Sequence, residues 1–90
     1  MPQASNMTTE HEGRKYEFVF GSDVINDGMY VEVWDEERKE MILFAFRSDA
    51  NDDFTFTAYK EKLPFALVEQ FILEAREWLP FTNTKQVSDD

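Results

Sequence analysis

The chain has no cysteine, and its 90 residues include only three glycines, three prolines and one histidine. Without cysteine there is no disulfide, thiolate nucleophile, Cys-ligated zinc or iron–sulfur cluster, so the core must hold by packing alone. Gly13, Gly21 and Gly28 cannot be written into a Walker A loop or a dinucleotide fingerprint. The sole histidine, His11, falls in a polar N-terminal stretch without periodicity, which gives a histidine-based triad or dyad no rigid imidazole. Cations are scarce as well: nine Lys and Arg stand against 19 Asp and Glu, for a formal charge of −10. Affinity for nucleic-acid backbones and anionic membranes comes largely from Lys and Arg, so the balance argues against both. The longest apolar-rich stretch, Pro64 to Leu79, is broken by Glu69, Gln70, Glu74, Arg76 and Glu77, so no span of a bilayer is expected. Residues 1–13 carry neither the basic start nor the apolar run of a signal peptide, and a cytoplasmic location is the default expectation.

Nine Phe, three Tyr and two Trp are present in a chain that is 42% hydrophobic, enough for one modest core. The expected organisation is a disordered tail over 1–13, a single domain over 14–81 and a flexible tail over 82–90.

Within that domain four runs alternate like strands: Lys15 to Phe20, Met29 to Trp34, Met41 to Arg47 and Phe54 to Tyr59. The connections between them, GSDVINDG, DEERKE and SDANDD, are rich in turn formers or charge. An antiparallel meander that pairs Phe20 with Met29, Val33 with Ile42, and Phe46 with Phe54 makes one face uniformly apolar. That face collects Tyr16, Phe18, Phe20, Met29, Val31, Val33, Ile42, Phe44, Phe46, Phe54, Phe56 and Ala58. An Asp27-Gly28 two-residue turn would mix the two faces instead, so the longer loop is preferred, with Val24 and Ile25 tucked under the sheet or helix end, or extending the hairpin across a bulge at Gly21.

A helix is expected over Pro64 to Leu79, opened by Pro64 at its first position and stopped by Pro80. Phe65, Val68, Ile72, Ala75 and Leu79 form an apolar stripe, widened by Phe71, Trp78 and Leu67. Leu73 alone projects into the polar sector, with Phe81 as its plausible contact. The stripe needs an apolar surface, and the Phe-rich sheet face is the one available. The expected fold is therefore α+β: a four-stranded antiparallel meander with one C-terminal helix across one face (β-β-β-β-α), a two-layer sandwich.

The chemistry-bearing residues are weak signals one by one. Glu17 and Glu32 are cross-strand neighbours in this register, but two solvated surface acids are the ordinary reading of such a pair. The run Asp49-Ala50-Asn51-Asp52-Asp53 begins like a calcium loop, yet Phe54 stands where an EF-hand needs Gly and Lys60 where it needs Glu. Arg38-Lys39 sits among Asp35, Glu36, Glu37 and Glu40 and reads as a solvated turn. No metal, cofactor or catalytic residue is assigned.

The second sheet face is the informative feature. One helix can cover only one face, yet the other carries Val19, Tyr30, Trp34, Met41 and Leu43 bordered by Glu17 and Glu32. An apolar centre with an acidic border has the layout of a binding surface. In size, charge and lack of cysteine the chain is loosely similar to bacterial immunity or inhibitor proteins, a likeness of composition, not of a motif. The expected function is a small acidic non-enzymatic protein-interaction domain. It would homodimerise or bind a basic protein through Glu17, Val19, Tyr30, Glu32, Trp34, Met41 and Leu43. The alternative is a small-molecule-binding or enzymatic domain with a pocket between the 21–28 loop and the helix. A DNA mimic is a third reading, disfavoured because the acids are spread through every loop.

Overall fold

A computed structural model describes residues 5–51 and 53–79. It is α+β: strands β1 (Ser5–His11), β2 (Arg14–Asp23), β3 (Gly28–Asp35), β4 (Glu40–Ser48) and β5 (Phe54–Ala58) precede helix α1 (Phe65–Trp78). The strands form one antiparallel sheet in sequence order, and the helix lies on one face of it. The sheet has five strands where four were expected.

The extra strand comes from the segment expected to be an N-terminal tail. Glu12 and Gly13 both adopt positive φ, at 54° and 79°, and join β1 to β2 as a two-residue hairpin loop, with His11 opposite Arg14. Positive φ at both central residues matches the right-handed twist of paired strands. Alternation then does the rest. Met7 packs against the core and Thr9 reaches the helix, while Asn6, Thr8 and Glu10 face away. The expected tail over 82–90 lies outside the described residues, as do Pro80 and Phe81.

Strands β2 and β3 pair Phe20 with Val31 and close at Asp23 and Gly28 around a four-residue turn. This differs from the expected Phe20–Met29 pairing by two residues, an even shift, so Tyr16, Phe18, Phe20, Val31 and Val33 still share the buried face. Val24 and Ile25 are not tucked away: they form the tip of the turn and are 89% and 92% exposed. Asp23 and Asp35 begin equivalent turns. Each carboxylate accepts the backbone N–H three residues on, from Asn26 at 3.0 Å and Arg38 at 3.2 Å, and each turn ends in a left-handed residue, Asp27 or Lys39.

The larger correction lies between β3 and β4. Val33 pairs with Leu43 and Trp34 with Met41, so Ile42 is the extra residue of a β-bulge. The one-residue shift reverses every side chain beyond it: Leu43 and Ala45 enter the core, and Phe44 and Phe46 turn to the opposite face. Strand β5 is offset by one as well, with Arg47 opposite Phe54 and Phe46 opposite Thr55. The second odd shift cancels the first, so Phe54, Phe56 and Ala58 lie on the helix side as expected, and Phe56 meets Phe71 at 5.6 Å between ring centroids.

Helix α1 starts after Pro64 and ends at Leu79, close to the expected bounds. Its buried line is Leu67, Phe71, Ala75 and Leu79, with Trp78 packed edge-on against Phe20 at 5.6 Å. The helix is thus rotated from the expected stripe, leaving Phe65 75% and Ile72 46% exposed. Leu73 is exposed too. Tyr16, Phe18, Phe20, Val31, Val33, Ile42, Leu43 and Ala45 complete the core from the sheet. Among the described residues no helix is long and apolar enough to cross a membrane.

Candidate functional site

Among the described residues, nothing covers the face of the sheet turned away from α1. From β2 it presents Glu17 and Val19, from β3 Tyr30, Glu32 and Trp34, and from β4 Met41, Phe44 and Phe46, all half-buried. Thr55 and Thr57 continue it on β5, opposite Phe46 and Phe44. The rings form a row: Tyr30 stacks on Phe44 with centroids 6.3 Å apart, and Phe44 on Phe46 at 6.5 Å with a 7° interplanar angle. Such offset stacks fix ring orientation across neighbouring strands.

Two glycines make room for this row. A Cβ on Gly21 would stand 2.5 Å from the Tyr30 hydroxyl, so the phenol lies flat over the bare backbone of β2. A Cβ on Gly28 would meet the Arg47 carbonyl and stand 2.5 Å from the Phe46 ring. Glycine in a strand marks such close approaches.

The carboxylates of this face are held by their neighbours. The Trp34 indole N–H donates to Glu32 Oε1 at 2.9 Å, and the Asn6 amide donates to Glu17 Oε2 at 2.6 Å. In the register Glu17 faces Trp34, and Glu32 sits between Val19 and Phe44. Both acids therefore stand within the apolar row.

At the β2–β3 turn end of the same face a pocket of about 420 Å³ is lined by Phe44, Phe46 and Thr55 together with Asp23, Asn26, Ser48, Asn51 and Asp53. Phenyl faces beside carboxylates offer a cation both ring quadrupoles and formal charge. The Asn26 side-chain and backbone N–H groups hold the Asp23 carboxyl below its ordinary range, so it is anionic at neutral pH.

Of the residues singled out from sequence, Glu17, Val19, Tyr30, Glu32, Trp34 and Met41 lie together on this face. Leu43 does not: it is fully buried beneath α1 because the bulge at Ile42 turns it inward. Phe44 and Phe46 take its place. Sequence reasoning missed them because Met41 to Phe46 is apolar at every position, so alternation cannot say which half points which way.

The chain matches no known family, curated protein or solved structure. Its chemistry must be read from the geometry alone.

No three His, Asp or Glu side chains among the described residues are grouped as a metal ion would require. Asp49, first in the acidic run that begins like a calcium loop, instead pairs with Arg47 at 3.1 Å. His11 Nε2 lies 2.7 Å from Gln70 Oε1, which also accepts the Thr9 hydroxyl at 3.1 Å, so the imidazole ties β1 to α1. Where a pocket was expected between the 21–28 loop and the helix, the Trp78 indole N–H reaches the Gly21 carbonyl at 3.5 Å. A cavity of about 620 Å³ opens at the other end of the sheet.

Proposed function

We propose that this protein is a non-enzymatic interaction domain whose uncovered sheet face docks a basic protein partner. The observation that carries the reading is the row Trp34, Tyr30, Phe44 and Phe46 with Glu17 and Glu32 standing inside it and the aromatic–acidic pocket at its end. Aromatic anchors in the centre of a patch supply most of the binding energy of an interface. Charged groups around them steer association and exclude wrong partners. A Lys or Arg side chain of the partner fits the pocket between Phe44, Phe46, Asp23 and Asp53, stacked on a ring with its charge toward the carboxylates.

Charge favours a basic partner over a second copy of the chain. Two copies meeting face to face would bring four carboxylates, Glu17 and Glu32 of each, into one apolar interface, on chains of formal charge −10. Burying like charges without counter-charge opposes association. A cationic surface removes that cost and adds attraction.

Two measurements test the reading together. Light scattering gives the mass of the free chain, expected to be that of a 10.7 kDa monomer. Capture on wild-type and Trp34→Glu baits, each partner then purified and titrated back, is expected to yield a basic protein bound by the wild type and at least tenfold weaker on the variant. A dimer split by Trp34→Glu, or a partner indifferent to that substitution, would overturn it.

A further inference from the structure

The molecule carries the same turn twice, and the two copies use their leading carboxylate differently. Asp35 opens the β3–β4 turn: its Oδ1 accepts the Glu37 and Arg38 backbone N–H groups, and its Oδ2 holds the Arg14 guanidinium at 3.3 Å. Asp23 opens the β2–β3 turn in the same way, with Oδ1 accepting the Asn26 N–H at 3.0 Å, but its Oδ2 accepts the neutral Asn26 side-chain amide at 2.8 Å. Each carboxylate oxygen has two lone-pair sites, so Asp23 keeps acceptor capacity. Among the described residues no Lys or Arg lies within ion-pair distance of Asp23, or of Asp53, which lines the same pocket of about 420 Å³. We infer that this pocket, walled by Asp23, Asp53, Phe44 and Phe46, is an arginine site that takes a guanidinium in preference to the ammonium of lysine. The inference rests on the docking face proposed above and names the partner side chain that enters its end.

The charge of the site stays negative when its neighbours are counted. The two segments that wall it, residues 23–28 and 48–53, hold five Asp and no Lys or Arg. Arg47, the cation nearest in sequence, is buried and pairs with Asp49 at 3.1 Å. A cation is therefore the ligand charge the site calls for. The walls are also braced. The Asp49 N–H donates to the Asp27 carbonyl at 2.8 Å and so ties one turn to the other, while the Ser48 N–H donates to the Asp53 carbonyl at 2.8 Å and the Asn51 N–H to the Ser48 hydroxyl at 3.2 Å. A site assembled before its ligand arrives spends little ordering entropy on binding.

The preference for arginine follows from shape and hydration. Phe44 and Phe46 lie parallel to within 7° in the wall that also holds the carboxylates. A planar guanidinium stacks on an aromatic face and still directs its five N–H donors, in a fixed fork, toward acceptors beside the ring. An ammonium is a compact point charge with three donors and no flat face. It is also the more strongly hydrated of the two, so it gives up more on leaving water for a phenyl surface. Asp35 and Arg14 display the first half of this recognition inside the protein, a turn-opening carboxylate on a guanidinium. At Asp23 the partner supplies the guanidinium and the rings are already in place.

Amide chemical shifts of the full chain test this with three probes: N-acetyl-arginine amide, its neutral isostere N-acetyl-citrulline amide, and N-acetyl-lysine amide. The arginine probe is expected to bind saturably, to shift Asp23, Asn26, Phe46, Ser48 and Thr55, and to bind at least tenfold tighter than citrulline and about threefold tighter than lysine. Asp53→Asn, at an exposed position, is expected to weaken the arginine probe severalfold. Phe46→Leu is expected to erase its advantage over lysine. Lysine bound as tightly as arginine overturns the guanidinium preference, and citrulline bound as tightly overturns the role of the carboxylates. Absent or scattered shifts, or an indifferent Asp53→Asn, overturn the site. Trp34 does not line the pocket, so the docking face stands or falls separately, on Trp34→Glu.

Discussion

Leu43 shows how much a single position depends on register. It has no exposed surface, so Leu43→Ala is expected to cost about 2–5 kcal/mol in chemical denaturation, the range for a buried leucine. On the outer face, where alternation from Trp34 and Met41 alone would place it, the same change would cost well under 1 kcal/mol. Nothing in MILFAF distinguishes the two, since an all-apolar run leaves parity to the bulge. Tyr16, Phe18 and Phe20 were legible because polar Lys15 and Glu17 flank Tyr16, and Glu32 sets the parity of the neighbouring run. Asp35 was read as part of a solvated turn, yet it is 6% exposed and organises that turn. Burial alone would raise its pKa, but the N–H groups of Arg38 and Glu37 and the Arg14 guanidinium prevail and hold it below the ordinary carboxylate range. A depressed folded value contributes stability that is complete above the unfolded pKa, about 3.9, and is lost as pH falls through the folded value. Asp35→Asn is therefore expected to cost roughly 1–3 kcal/mol in urea unfolding at neutral pH, with the gap from wild type narrowing in acid. A gap independent of pH would contradict this role. Glycine substitutions separate two kinds of close approach: Gly28→Ala meets a backbone carbonyl and should destabilise, whereas Gly21→Ala meets the movable end of Tyr30 and should displace the ring at smaller cost.

Among the elements, α1 was the most legible, because Pro64 and the interrupted apolar run define its start and length. Its rotation was not. The stripe through Phe65 and Ile72 is as apolar as the buried line through Leu67, Phe71 and Ala75, and only docking against Phe20 and Phe56 selects between them. β1 was illegible for a different reason. An edge strand with one apolar side chain, Met7, on its inner face carries little hydrophobic signal, and its turn uses Glu12 where Asn or Asp is the usual marker. Hydrogen exchange checks it directly. Amides of residues 6–10 paired with β2 are expected to be protected, and deletion of residues 1–11 to cost at least about 1.5 kcal/mol, the value of burying one Met side chain. Exchange at the rate of an unstructured peptide would contradict the fifth strand.

For the whole molecule, a second, partly apolar sheet face was visible in sequence: one helix covers one face, and Val19, Tyr30, Trp34 and Met41 alternate onto the other. Its outline was displaced by the bulge, which exchanged Leu43 for Phe44 and Phe46 and thereby made the uncovered face more aromatic. The acids within that face are expected to make the proposed association with a basic partner salt-dependent, since screening weakens steering between opposite charges. The most direct measurement is a calorimetric titration of the purified partner against the wild type, Trp34→Glu and Glu32→Lys at low and high salt. The expected result is one-to-one binding that weakens as salt rises, falls at least tenfold with Trp34→Glu and loses most of its salt dependence with Glu32→Lys. Binding that both substitutions leave unchanged would contradict the docking face.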